Sequence, residues 1–140
     1  MRALLQVLVG GTGVVAMVIS LLHIVFGPAC IPGTMAVNAT LDSEDRFYAV
    51  FFFAYGWALL WCARDVEQKR EPLRLLGALF FAGGVTRLIS MLAMGAPHGL
   101  FIALTPIELG LPLTWWILQA RLSATTPGAP ATQPTPSSQS

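Results

Sequence analysis

Long apolar runs separated by short polar stretches dominate this chain. Residues 3–26 contain no Asp, Glu, Lys or Arg. At about 1.5 Å per residue, a helix of that length crosses a hydrocarbon core about 30 Å thick. The run is longer than the apolar segment of a signal peptide, typically about 7–15 residues, and no small-residue cleavage box closes it. It reads as a retained helix ended by Gly27 and Pro28. Residues 47–63 form a second, shorter span between Arg46 and Arg64, whose aliphatic stems let the charges snorkel outward. Residues 75–95 and 100–120 form the third and fourth spans. The pattern predicts an all-α fold: an integral membrane four-helix bundle over residues 1–122. Residues 123–140 are rich in Ser, Thr and Pro, without charge or apolar period, which predicts a disordered tail.

Two polar interruptions stand out against this pattern. Arg87 lies eight residues before Gly95, and Glu108 lies eight residues after Leu100. Both are therefore about 12 Å below the ends of their helices, and the short turn between the helices brings them to one level. A charge at the bilayer centre costs from about 3 kcal/mol on insertion scales to about 10–17 in simulations, so such residues face a bundle interior and pair. Two readings fit Arg87 and Glu108. One is a proton, ion or ligand site; the other is a buried salt bridge that fixes helix register without necessarily adding net stability.

Helical spacing gathers further polar residues near that level. Gly83, Gly84, Arg87 and Ser90 share a face of the third helix, and Thr105, Glu108 and Pro112 share one of the fourth. Gly13, Ala16, Ser20 and His23 form a small and polar stripe on the first helix; Tyr48, Phe52 and Tyr55 line up on the second. Ser20, His23, Tyr55, Ser90, Thr105 and, from the adjoining turn, His98 are the candidate lining of a pocket around Arg87 and Glu108. The same residues would equally make the hydrogen-bonded seam of any membrane bundle. Pro106 and Pro112 flank Glu108 and remove the donors for the carbonyls of Ile102 and Glu108, a pattern similar to the broken helices of transporter sites.

Composition agrees with a lipid-facing surface. The 140 residues are 55% hydrophobic and 11% charged, against roughly 25% charged in a soluble domain. The net charge of +1 points to no nucleic-acid partner. Arg2, Arg64, Lys69, Arg70, Arg74 and Arg121 fall on one side of the predicted membrane and only Arg46 on the other. The positive-inside rule then places both termini in the cytoplasm.

The remaining polar residues carry plainer readings. Asp42 is expected to cap the second helix, with Glu44 and Asp45 favouring its positive end rather than forming a metal cluster. Trp57, Trp61, Trp115 and Trp116 read as an interfacial aromatic belt. Cys30 and Cys62 fall near opposite ends of the bundle, far beyond the ~7 Å Cα separation that a disulfide tolerates, and no Cys/His spacing suggests a metal. Asn38 to Thr40 match a glycosylation sequon that matters only in a eukaryotic secretory host.

Asp42-Ser43-Glu44-Asp45-Arg46-Phe47-Tyr48, Gly56 with Leu60-Trp61, Pro72-Leu73-Arg74, Gly83-Gly84-x-x-Arg87-x-x-Ser90, Gly95-x-Pro97-His98 and Glu108 follow one another in that order. Together they resemble the bacterial four-span membrane proteins known as domain of unknown function 4345. The resemblance implies four helices in a bacterial plasma (inner) membrane and supplies no catalytic residue. A looser architectural similarity links the chain to the DoxX-like four-helix proteins, some associated with quinone or thiosulfate oxidation. The expected role is that of a non-enzymatic accessory subunit or a binder of a lipophilic small molecule, with membrane lipids, another membrane subunit or a quinone-like molecule as partners. The alternative is a redox or transport component using Arg87 and Glu108. No cofactor is identified by any motif.

Overall fold

The computed structural model describes residues 1–125; all but the first three residues of the predicted tail lie outside them. Four helices follow in order: α1 (Arg2–Phe26), a 3₁₀ turn at Gly27–Cys30, α2 (Ala39–Arg64), α3 (Arg70–Met94) and α4 (Gly99–Thr125). Among the described residues no strand forms. Each helix is long and apolar enough to cross a membrane, and large apolar side chains such as Val7, Val18, Phe51, Leu75 and Ile117 cover the outside. Such a surface fits hydrocarbon, so the protein is a multi-pass membrane protein.

The helices pair as two hairpins. α1 packs most extensively on α2, and α3 on α4. Gly13 and Gly56 make the first pairing possible: a Cβ on either would lie 2.7 Å from the carbonyl oxygen of the other. The two backbones therefore touch where any side chain would separate them. In the second hairpin Gly84 plays the same part, since a Cβ there would meet Leu109 Cδ2 at 2.8 Å.

The core proper occupies one half of the bundle. Leu5, Val9, Leu59, Cys62, Val66, Leu73 and Trp115 form a single buried cluster. Around this end Arg2 pairs with Glu67 at 3.7 Å, and Arg70 reaches the Ser123 hydroxyl at 2.6 Å. These contacts bring the first residues, the α2–α3 loop and the end of α4 together at one basic end. Toward the opposite end the two hairpins are less closely packed, and the space between them is the site described below.

Four expectations change in detail. The cap of α2 is Asn38, not Asp42: Asn38 Oδ1 accepts from the Leu41 N–H at 2.8 Å. The helix starts well before the apolar run because capping, not hydropathy, sets its first turn. Trp115 belongs to the core, fully buried and stacked on Phe80 at 6.0 Å. Trp57 and Trp61 do face outward, the latter under the Lys69 ammonium at 3.9 Å. α4 runs through Pro106 and Pro112 without a break, unlike the discontinuous helices of transporters. It also continues to Thr125, three residues into the segment expected to be a tail.

Candidate functional site

Arg87 and Glu108 meet across the α3–α4 hairpin. With no side chain at Gly84, α4 approaches closely enough that Arg87 Nε donates to Glu108 Oε2 at 2.8 Å and Nη2 donates to Oε1 at 2.8 Å. This is the two-pronged geometry in which guanidinium and carboxylate bind most strongly. Their side chains are 32% and 13% exposed, so the carboxylate is the more enclosed partner. The guanidinium also lies 5.3 Å from the centre of the Phe101 ring, within the range of a cation–π contact.

A second polar pair, not anticipated from the sequence, joins α1 to α2. His23 Nδ1 lies 3.0 Å and 2.9 Å from the two Asp45 carboxylate oxygens. The acidic group at the start of α2 thus does more than complement the helix dipole. Asp45 continues the stripe of Tyr48, Phe52 and Tyr55 at a spacing of three, and that phase is the signal that would have pointed it inward. Nearby, Arg46 does not snorkel freely. It donates to Asp42 at 2.9 Å and to the α1 carbonyls of Ile24 and Val25, neutralising the negative end of that helix. Gly27, at φ +63°, ends α1; a Cβ there would overlap Asp42 Oδ1, at 2.3 Å.

Both pairs face one cavity of about 730 Å³ bounded by all four helices. His23, Asp45, Arg87 and Glu108 give it polar walls, and Ser20, Ala49, Phe52, Phe80, Phe101, Leu104 and Leu111 are among its other lining residues. A groove of about 630 Å³ lies between α2 and α3, lined by Phe51, Phe52, Tyr55, Leu79, Phe80, Gly83, Thr86, Arg87, Ser90 and Glu108. Phe52, Phe80, Arg87 and Glu108 line both. These volumes fall in the range of about 300–1,000 Å³ common for small-ligand sites.

The predicted lining residues divide accordingly. Ser20 and His23 border the cavity, while Tyr55 and Ser90 border the groove. The Ser20 hydroxyl donates to the Ala16 carbonyl at 2.7 Å, and the Tyr55 hydroxyl donates to that of Leu76 at 3.0 Å. Thr105 borders neither; it is buried and donates to the Phe101 carbonyl at 2.9 Å. The cavity-facing stripe of α4 runs through Leu104, Ile107, Glu108 and Leu111, one step around the helix from Thr105. His98 borders neither as well; it sits in the α3–α4 turn, accepting from the Leu100 N–H at 3.3 Å. Cys30 borders the cavity and Cys62 lies in the core, both as free thiols. Among the described residues no three His, Cys, Asp or Glu side chains gather as a metal-ligand set.

The chain belongs to the family described as Domain of unknown function (DUF4345), which matches residues 4–119 and so takes in all four helices. No curated protein and no solved structure matches it.

Proposed function

From membership in a family without an assigned activity, and from the cavity between its helices, we propose that this protein binds a lipophilic small molecule within the membrane. In this reading it serves as a non-enzymatic binding or accessory component. The observation that carries the proposal is the cavity of about 730 Å³, apolar along most of its wall, with the Arg87–Glu108 ion pair and the hydrogen-bonded His23 and Asp45 facing into it. Hydrogen-bonding groups in an otherwise oily wall suit a guest with one polar end. We further place the protein in a bacterial plasma membrane with both termini cytoplasmic, since Arg2, Arg64, Lys69, Arg70 and Arg74 cluster at the basic end.

Gentle purification followed by native mass spectrometry tests this reading. A small molecule should accompany the full chain and be lost from Leu104→Trp, which fills the cavity from α4. Absence of any bound molecule, or its full retention by the folded variant, would overturn the proposal. A captured protein subunit without a small molecule would favour the accessory role alone. A quinone that undergoes reduction with a co-purified redox partner would favour the redox alternative.

A further inference from the structure

Among the described residues no cation facing the cavity stands free for an anionic guest. Arg87 is held by Glu108 through two bonds, and His23 by Asp45. The next cation, Arg46, is engaged by Asp42 and the end of α1. An anionic guest would need Arg87 released from Glu108, and the abandoned carboxylate would then sit uncompensated in a low-dielectric site. A neutral head meets no such penalty. Nε and Nη2 of Arg87 are engaged by Glu108, leaving Nη1 to donate, while the carboxylates retain lone pairs that accept. A hydroxyl group donates and accepts at once and fits that combination.

The rest of the guest has a route. The groove between α2 and α3 leads from Arg87 and Glu108 along Phe52 and Phe80 to Phe51 and Leu79, both exposed on the outside of the bundle. Gly83 lies in this groove, and a Cβ there would meet nothing within 4 Å. An apolar chain laid along it would pass from the polar site into surrounding hydrocarbon without crossing water. We infer that the site takes a neutral, single-chain lipophile with a hydroxyl head, admitted from the bilayer between α2 and α3, and rejects the anionic form of the same chain. This rests on the reading of the cavity as a binding site and specifies its ligand class.

Competition binding on the purified full chain in detergent tests it, with tritiated oleyl alcohol as the probe at a pH where oleate is ionised. Unlabelled oleyl alcohol and monoolein should displace the probe at concentrations about tenfold or more below those needed for oleate. Glu108→Gln leaves Arg87 without its carboxylate and should narrow or reverse that preference. Asp45→Asn removes the other carboxylate facing the cavity and tests the same logic if Glu108→Gln does not fold, and the wild-type competition stands without either variant. Gly83→Trp, placed in open space, should weaken probe binding by about tenfold or more. Oleate competing as well as oleyl alcohol would overturn the inference while leaving a binding cavity in place. Failure of every probe, with a different molecule co-purifying, would overturn the ligand class alone; failure with nothing co-purifying would remove both readings.

Discussion

Replacing Arg87 by methionine removes two 2.8 Å hydrogen bonds and leaves Glu108, 13% exposed, facing an apolar cavity wall. Breaking a buried pair by deleting one partner typically costs about 3–5 kcal/mol. Here the 32% exposure of Arg87 reduces that figure, so about 2–3 kcal/mol is expected. Glu108→Leu should cost a similar amount, because it strands a guanidinium. The double replacement removes both charges together and should cost less than the sum of the two singles, with a coupling of about 1–3 kcal/mol. Unfolding in mixed micelles by titration with a denaturing detergent gives these differences, with the fluorescence of the buried Trp115 contributing to the signal. Additive losses would refute the reasoning. They would mean that the two side chains do not share one interaction in the membrane, and the account of Arg87 as already engaged would fall with it.

Three further outcomes are expected. Gly56→Ala places a methyl group 2.7 Å from the Gly13 carbonyl oxygen and should destabilise the α1–α2 hairpin by about 1–3 kcal/mol, whereas Gly11→Ala, with open space around its Cβ, should be tolerated in the same assay. Asn38→Ala should cost about 1 kcal/mol by removing the cap of α2 and speed amide exchange at Leu41; unchanged exchange would show that the cap contributes nothing. A single cysteine at exposed Met35, with Cys30 and Cys62 replaced, should react with an impermeant thiol reagent in intact cells. Reaction only after membrane disruption would reverse the proposed orientation.

The four helices were legible in the sequence because the signal is local: enough consecutive apolar residues to cross hydrocarbon define a span whatever the rest of the chain does. The meeting of Arg87 and Glu108 was legible for a similar reason, since constant helical rise and a short turn fix their depths. The match of α1 to its predicted end follows from Gly27 and Pro28, which no helix continues through easily. What the sequence left open depends on how each helix is rotated about its axis. That rotation is decided by contacts between distant residues, such as Gly13 on Gly56 and Gly84 on Leu109. It turns Trp115 into the core instead of toward the interface, and aims Asp45 at His23, 22 residues away. It also faces Leu104 rather than Thr105 into the cavity. The cavity itself has no local signature. It is the distance between two hairpins, each drawn tight by its own glycines and packed less closely on the other, and such a distance exists only once all four helices are in place.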